Sequence, residues 1–270
     1  MTARSAIPLP LLNARQVRLF LDYDGTLADF APTPDVVEPR PEVIEILTRL
    51  RDTPDIHVSL ISGRRLSHLE TLVPVSGVLL AGTYGVELRT PSGERRERLN
   101  YAALRPLLDA LKPRWADLIA DREGFYLEDK GWSLALHARY AADAEAVTVL
   151  RAARRAARAA AAESPFHLVG GHKFLELRPH LAHKGKTVAY LLQTYPLPDA
   201  LPVYVGDDDK DAEAFDVIHA HGGLTVFVTE GQTPPGVAAD LRLPDPQAVH
   251  AWLRRLLHQR GRETHNAPQK

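Results

Sequence analysis

The sequence predicts an α/β fold with a doubly wound, mostly parallel sheet that is interrupted by an inserted α+β domain. Short apolar runs of strand length alternate with segments whose apolar residues recur at helical spacing, as in βαβ units. Between about residues 102 and 179 this pattern gives way to strands of alternating polarity beside longer helices. We therefore expect a discontinuous core of residues 1–101 and 180–270, with residues 102–179 inserted between its two parts.

Five apolar runs are the candidate parallel strands of the core. Each is short and is bounded by Gly, Pro or polar residues, which is typical of strands buried on both faces of a sheet. Residues 41–53, between the first two runs, have the apolar spacing of a helix. The runs are VRLFLDY (17–23), IHVSLISG (56–63), GVLLAGTYG (77–85), LPVYVGDD (201–208) and LTVFVTEG (224–231).

The inserted segment is predicted to combine helices with antiparallel strands. Residues 100–120 and 143–164 have helical patterns, and residues 124–141 alternate like a hairpin that turns at Asp129-Lys130-Gly131. Residues 166–179 are strand-like, with Gly170-Gly171 as the expected turn. After the insertion, a helix is expected to begin at Lys184 and to continue to about Gln193.

Composition excludes several classes of protein. The 270 residues are 45% hydrophobic, and the formal net charge of −1 gives no overall field that would attract nucleic acid or an anionic membrane. There is no cysteine, so disulfides and thiol chemistry are excluded. No apolar run approaches the ~20 residues of a membrane span, and the first residues do not resemble a signal peptide. We expect a soluble, cytoplasmic protein.

The stretch RLFLDYDGTLADF ends a buried strand with two carboxylates, Asp22 and Asp24. Because like charges at this spacing repel, a shared divalent cation such as Mg²⁺ is the natural compensation. Asp22 could then act as a nucleophile and Asp24 could carry a proton, while Thr26 orients Asp24 or closes the turn. Taken alone, such a pair is more often a capped turn with two solvated aspartates.

Three other segments add candidate groups. Ser62 follows the second apolar run and could donate to a phosphate oxygen, or it could simply cap the next helix. Lys184 could balance Asp22, or it could be a surface lysine. Asp207 follows another apolar run and is a candidate metal ligand. Asp208 is a further candidate ligand. Asp208 and Asp211 could also orient metal-bound water or Lys184. The alternative for these aspartates is an acidic helix N-terminus.

In this order, Asp22-x-Asp24-Gly-Thr, Ser62, Lys184 and Gly206-Asp207-Asp208-x-x-Asp211 resemble the haloacid dehalogenase (HAD) superfamily of phosphatases, from about residue 17 to 255. The segments LEDKGWSLALHARYA, KFLELRP and GTYGVELR look like cap and core signatures of the trehalose phosphatase family. The resemblance implies a Rossmann-like HAD core with a cap domain for substrate specificity. It also implies hydrolysis of trehalose 6-phosphate through an aspartyl-phosphate.

The resemblance further assigns roles to particular residues. It implies Asp22, Asp24, Ser62 and Lys184 as catalytic groups and Mg²⁺ as the cofactor. A trehalose-phosphate synthase is a possible protein partner. The implied metal ligands are Asp22, Asp24, Asp207 and Asp208, with Asp211 in support; the implied substrate contacts are Thr26, Gly63, Arg64, Glu128, Lys130 and Glu176. For Lys130 and Glu176 the alternative is a cross-strand salt bridge on a wet sheet face.

The chain departs from the family pattern at three positions. Tyr84 stands where these phosphatases usually carry histidine, Lys210 where they carry threonine, and Ala212 where they carry glutamate. The nucleophile, acid and metal positions are intact. The alternatives are therefore a phosphatase for another sugar phosphate, such as sucrose phosphate or mannosyl-phosphoglycerate, a phosphoryl-transferring mutase, or a catalytically silent sugar-phosphate sensor or regulatory partner of a synthase.

Overall fold

The computed structural model describes residues 6–30, 38–161, 164–229 and 237–266, with side chains to Gly261. The chain divides into two compact units, a core within Met1–Arg96 and His183–Lys270 and an inserted unit within Glu97–Ala182. The junctions predicted from the sequence lie within a few residues of this division. The end of the last predicted strand, residues 230 and 231, and residues 162 and 163 of the predicted second helix lie outside the described residues.

The described elements follow in chain order. The strands are β1 (Gln16–Leu21), β2 (Ile56–Ile61), β3 (Leu79–Gly82), β4 (Glu87–Arg89), β5 (Arg95–Glu97), β6 (Tyr126–Asp129), β7 (Leu134–His137), β8 (Phe166–Gly171), β9 (Phe174–Pro179), β10 (Ala200–Gly206), β11 (Leu224–Val228) and β12 (Leu241–Leu243). The helices are α1 (Leu9–Asn13), α2 (Pro41–Arg51), α3 (Leu66–Leu72), α4 (Tyr101–Asp117), α5 (Asp143–Ala160), α6 (Lys184–Thr194), α7 (Asp209–Ala220) and α8 (Pro246–Asn266).

The core is built on an eight-stranded sheet of order β12-β11-β10-β1-β2-β3-β4-β5 over the described residues. The pairs from β12 to β3 are parallel, and β4 runs antiparallel to β3. On β1, Leu19 and Leu21 pack in one apolar cluster with α2, α3 and α8, whereas Phe20 packs in another with α6 and α7. Helices cover both faces, which confirms the predicted doubly wound α/β fold.

The inserted unit is an antiparallel sheet of order β6-β7-β9-β8 with α4 and α5 packed on one face. Alternate residues of β7 and β9 face these helices, because side chains alternate along a strand. The indole of Trp115 on α4 is fully buried, and its Nε1–H donates to the carbonyl of Ala153 on α5 at 3.0 Å. The buried cluster includes Leu108, Leu111, Leu134, Leu136, Val149, Leu175 and Leu177.

The second hairpin of the inserted unit turns later than the sequence predicts. Gly170 and Gly171 belong to β8 and pair with Leu175 and Phe174, and the turn is His172-Lys173, where Lys173 has φ 55°. A Cβ on Gly170 would lie 2.5 Å from the Nη2 atom of Arg154. The glycine therefore admits a close-lying arginine rather than reversing the chain. The first hairpin turns after Asp129, and Asp129 itself pairs with Leu134.

Candidate active site

Polar side chains follow three neighbouring parallel strands at the edge where the strands end. Asp22 follows β1, Ser62 follows β2 and Asp207 follows β10. Leu21 at the end of β1 is in register with Leu60 of β2 and with Val205 of β10, so these three loops start side by side. A cluster at the carboxyl edge of an open α/β sheet is the arrangement typical of a binding site.

The carboxylates of Asp22, Asp207 and Asp211 form a compact group, with one oxygen from each lying within 4.8 Å of the others. The turn after Asp22 permits this approach, because Gly25 has φ 82° and a Cβ there would lie 2.2 Å from the Oδ2 atom of Asp207. The hydroxyl of Thr26 lies 3.2 Å from the Oδ1 atom of Asp207 and 3.5 Å from the Oδ2 atom of Asp22. Thr26 therefore orients these two carboxylates and not Asp24, while its N–H donates to the carbonyl of Tyr23 within the turn, as in the second alternative from the sequence.

Lys184 is buried at the first position of α6 and is not the surface lysine that was the alternative. Its Nζ atom lies 2.9 Å from the Oδ1 atom of Asp22 and 2.6 Å from the Oδ1 atom of Asp211. It also lies 3.7 Å from the Oδ1 atom of Asp208. One ammonium group is thus shared among three carboxylates.

Asp211 and Asp208 use most of their oxygens within the protein. Asp211 accepts hydrogen bonds from Lys184, the hydroxyl of Tyr204 (2.7 Å) and the backbone N–H groups of Asp207 and Asp208 (3.0 and 3.1 Å). Asp208 caps α7 by accepting from the N–H groups of Lys210 and Asp211, and Asp211 reciprocates in a capping box. The acidic helix N-terminus that was the alternative for these residues is therefore present, and it adjoins the carboxylate group.

The electrostatics of this group favour a bound cation. Burial raises the pKa of Asp22 to about 8, with Lys184 opposing this shift and Asp207 and Asp208 adding to it. Burial, together with Asp211 and Asp208, raises the pKa of Asp207 to about 7. Burial alone would lower the pKa of Lys184, but Asp211 and Asp22 raise it well above its ordinary value. The single lysine does not neutralise the carboxylates, so an additional positive charge would stabilise their ionised forms.

The donor set fits a hard divalent cation. The group consists of carboxylate oxygens, which Mg²⁺ prefers, and Asp22 and Asp207 have fewer protein partners than Asp211. The carboxylate of Asp24 points elsewhere, because its two oxygens accept from the Nε and Nη2 atoms of Arg64 at 2.7 Å each. Of the two residues of the Asp-x-Asp turn, only Asp22 contributes its side chain to the carboxylate group.

The loop after β2 brings Ser62, Gly63 and Arg64 to the same edge. The Oγ atom of Ser62 accepts from the backbone N–H of Arg64 at 3.1 Å, and the N-cap of α3 is Arg65. Ser62 therefore does not cap the next helix, which was the alternative for it. Gly63 lies against Tyr84, since a Cβ there would be 2.7 Å from the Cζ and Oη atoms of the tyrosine.

The polar residues predicted in the inserted unit form a buried network on the sheet face opposite α4 and α5. Lys130 lies 3.2 Å from the Oε1 atom of Glu176 and 3.8 Å from the Oε2 atom of Glu128. Ser133 donates to Glu176 at 2.8 Å, and His137 lies 3.0 Å from Glu128. The salt bridge that was the alternative for Lys130 and Glu176 is therefore present, but it is buried and does not lie on a wet face.

Sequence reasoning missed one residue of the core site, Tyr204, and one contact, that between Arg64 and Asp24. Tyr204 is buried on β10 and donates to Asp211, although its alternation with Val203 and Val205 marks it as facing α6 and α7. Arg64 was predicted to contact substrate, but its bidentate pair with Asp24 was not foreseen. Only the position of the loop after β2 brings Arg64 and Asp24 together.

The core, with strand-end aspartates and an inserted unit, has the fold of haloacid dehalogenase-like hydrolases. A haloacid dehalogenase-like hydrolase from Bacteroides thetaiotaomicron has this fold, with a TM-score of 0.60 and 17% identity over 89% of this chain and 99% of that chain. The C-terminal domain of Candida albicans trehalose-6-phosphate phosphatase has it as well, with a TM-score of 0.78 and 21% identity over 94% of this chain and 99% of that chain.

The family model of trehalose-phosphatase matches residues 20–247, and the chain belongs to that family. A trehalose-phosphate phosphatase from Mycobacterium bovis is 31% identical over 252 residues, which cover 92% of this chain and 63% of that protein. The chain thus spans a little less than two thirds of the length of this relative. None of the helices within the described ranges has the length and apolarity needed to cross a membrane.

Proposed function

We propose that the chain is a phosphatase that hydrolyses trehalose 6-phosphate to trehalose and phosphate. The observation that carries this proposal is the buried Asp22 carboxylate, which lies 2.9 Å from Lys184 and beside Asp207 at the carboxyl edge of the sheet. A module that only binds sugar phosphates has no need for such a group. Membership of the trehalose-phosphatase family supports trehalose 6-phosphate as the substrate.

The first step transfers the phosphoryl group to Asp22. A carboxylate oxygen of Asp22 attacks phosphorus, the bond between phosphorus and the sugar oxygen breaks, and Asp24 gives a proton to the departing oxygen. Asp24 is paired with Arg64 before substrate arrives. We infer that Arg64 exchanges this contact for phosphoryl oxygens, which frees Asp24 to take up a proton from solvent before the transfer and accounts for the substrate-binding role predicted for the arginine.

The second step hydrolyses the aspartyl-phosphate. Asp24 takes a proton from water, the water oxygen attacks phosphorus, and the bond to Asp22 breaks to release phosphate. Acid–base catalysis supplies only about 10²–10⁴-fold of the rate, whereas monoester hydrolysis calls for up to ~10²¹-fold. Charge stabilisation and positioning must therefore contribute most of the acceleration, and Lys184 and Ser62 are among the groups that would supply them.

Mg²⁺ is the proposed cofactor, held by the carboxylates of Asp22 and Asp207 and by the backbone carbonyl of Asp24. When bound, it would neutralise charge on the phosphoryl oxygens. Asp208 remains a predicted further ligand, although its oxygens already cap α7. Asp211 would act indirectly, because it holds Lys184 and the backbone of Asp207.

For the sugar, we propose that Glu128, Lys130 and Glu176 bind hydroxyl groups. Their mutual contacts give the inserted unit a preorganised set of donors and acceptors. A physical association with a trehalose-phosphate synthase, and a cytoplasmic location, are also proposed; co-purification with the synthase and cell fractionation would test them.

A panel of sugar phosphates tests the assignment. Purified protein is given trehalose 6-phosphate, sucrose 6-phosphate, mannosyl-3-phosphoglycerate or glucose 6-phosphate, and released phosphate is measured with Mg²⁺ and with EDTA. We expect the highest kcat/KM for trehalose 6-phosphate and loss of activity in EDTA that added Mg²⁺ restores. Preference for another sugar would reject the substrate, phosphate retained on the sugar would indicate a mutase, and no turnover would indicate a sensor.

A further inference from the structure

Two of the residues at which the chain departs from the family pattern touch each other at the edge of the site. The Nζ atom of Lys210, in the first turn of α7, lies 5.5 Å from the ring centroid of Tyr84 in the loop after β3. A cation within about 6 Å of an aromatic face is attracted by the ring quadrupole. This contact links the loop after β3 to the first turn of α7, which none of the carboxylate contacts described above does.

Tyr84 is held firmly enough to serve as a support. It is buried, its φ is 54°, its N–H donates to the carbonyl of Ser62 at 2.8 Å, and its own carbonyl accepts from the hydroxyl of Thr187 at 2.7 Å. Its ring lies against Gly63, where any side chain would collide with it. Tyr84 thus contacts the loop after β2, the first helical turn that carries Lys184, and Lys210.

Lys210 faces the carboxylate of Asp208, which competes with Asp22 for Lys184. One oxygen of Asp208 lies 3.6 Å from the Nζ atom of Lys210, and the other lies 3.7 Å from the Nζ atom of Lys184. Without Lys210, Asp208 would attract Lys184 more strongly and would weaken its hold on Asp22. The second lysine therefore leaves Lys184 available to the nucleophile and to anionic oxygens.

The charges around the site support this role. The groups described above comprise five carboxylates, Asp22, Asp24, Asp207, Asp208 and Asp211, and three cations, Arg64, Lys184 and Lys210. When all five carboxylates are ionised, a divalent cation brings this set to neutrality. Without Lys210 the loaded site would keep one excess negative charge, which would oppose the entry of a phosphate dianion.

We propose that Tyr84 and Lys210 are positioning residues that set the affinity of the metal-loaded site for phosphate, with the Tyr84 ring holding the Lys210 ammonium beside Asp208. This proposal rests on the phosphatase site proposed above. It does not depend on which sugar the substrate carries, because the recognised group is the phosphoryl anion.

Binding of inorganic phosphate in the presence of Mg²⁺, measured by titration calorimetry, tests the proposal. Lys210→Met should weaken binding about fivefold to tenfold, and more at low salt than at high salt, because the loss is electrostatic. Lys210→Arg should keep near wild-type affinity. Arg49→Met, which removes the same charge from an exposed position on α2, is the matched control and should change nothing.

The role of the ring is tested with two further variants. Tyr84→Phe keeps the ring and should bind phosphate like the wild type, whereas Tyr84→Leu should weaken binding about threefold. The double variant that combines Tyr84→Leu with Lys210→Met should be no worse than Lys210→Met alone, because the two residues act through one contact. In steady-state assays with any hydrolysed sugar phosphate, these changes should raise KM more than they lower kcat.

The outcomes separate this proposal from the proposed function. If Lys210→Met binds phosphate as the wild type does, or if the wild type binds none with Mg²⁺, the positioning role is rejected. If Tyr84→Phe behaves like Tyr84→Leu, the ring contact is not the cause. If the wild type fails to hydrolyse trehalose 6-phosphate but Lys210→Met still weakens phosphate binding, the substrate assignment fails and the positioning role stands.

Discussion

The nucleophile is the residue on which most of the proposed chemistry depends. Asp22 is buried, and burial raises its pKa to about 8, so its ionised form needs Lys184 and a cation. Replacement by asparagine keeps the shape and removes both the charge and the attacking oxygen. We predict that Asp22→Asn lowers kcat by at least ~10⁴-fold, in the range found when a nucleophile is removed. Released phosphate measures the effect on kcat, and thermal unfolding measures the effect on stability.

The same substitution should not unfold the protein. Because a buried carboxylate is removed, the melting temperature without Mg²⁺ should be equal to or higher than that of the wild type. Asp216→Asn, on an exposed position of α7, is the matched control and should keep both activity and stability. Phosphate release by Asp22→Asn above about 0.01% of the wild-type rate would reject the nucleophile assignment.

Gly25 provides a second prediction at the residue scale. A Cβ at Gly25 would meet the Asp207 carboxylate at 2.2 Å, whereas Gly93, with a similar φ of 91°, has nothing within 4 Å. Alanine at either position suffers the backbone strain of positive φ, about 1–2 kcal/mol of unfolding free energy. Only Gly25→Ala should also displace Asp207, so we predict loss of Mg²⁺ binding by calorimetry for Gly25→Ala and unchanged binding for Gly93→Ala. Equal Mg²⁺ affinity in the two variants would contradict the proposed site.

At the scale of elements, the first hairpin of the inserted unit is tied to α4 by an ion pair. Asp129 accepts two hydrogen bonds from Arg105, at 2.7 Å each, and one from Lys112 at 2.9 Å. Arg105, followed by Lys112 and the N–H of Gly131, holds the pKa of Asp129 well below its usual range. Because the folded pKa is depressed, this stabilisation is fully present above the unfolded value of about 3.9 and is lost as pH falls through the folded value.

We therefore predict that Asp129→Asn lowers the free energy of unfolding at neutral pH by about 1–3 kcal/mol. It should also flatten the decline in stability between about pH 5 and pH 2. Asp109→Asn is the matched control, since Asp109 also accepts from Arg105 but its side chain is 57% exposed, and it should cost less than about 1 kcal/mol. Urea titrations at several pH values measure both. An equal effect of the two variants would mean that the half-buried pair of Arg105 and Asp129 does not stabilise the hairpin.

Elements differ in how well the sequence predicts them, and the reason is physical. The five apolar runs of the core were long enough to carry a pattern, and parallel pairing then brings Asp22, Ser62 and Asp207 together. Strands β4, β5 and β12 have three residues each, which is too few to show the alternation of polar and apolar residues that identifies a strand. The pairing of Arg64 with Asp24 depends on the path of a loop, and the close approach of Arg154 to Gly170 of β8 is a contact that no local pattern reveals.

At the scale of the whole molecule, the two units have separate apolar cores. The inserted unit encloses Trp115 with residues of its own sheet and helices, and the carboxylate group belongs to the core unit. Residues 97–182 should therefore fold as an isolated fragment, within the size range of independent domains. Near-ultraviolet circular dichroism of the two buried tryptophans, Trp115 and Trp132, and a cooperative thermal transition would demonstrate this. A fragment without fixed aromatic signals would show that the inserted unit needs the core.

This separation gives a whole-molecule test of the metal site. A ligand that binds only the native state stabilises it, by about 2.7 kcal/mol at a concentration 100 times its dissociation constant. Added Mg²⁺ should therefore raise the melting temperature of the full chain by several degrees and leave that of the isolated 97–182 fragment unchanged. The response of the full chain should disappear in Asp207→Asn, which removes one of the proposed carboxylate ligands, and persist in Asp216→Asn. A shift in the fragment, or an undiminished shift in Asp207→Asn, would assign the cation to a different site and would remove the electrostatic basis of the proposed mechanism.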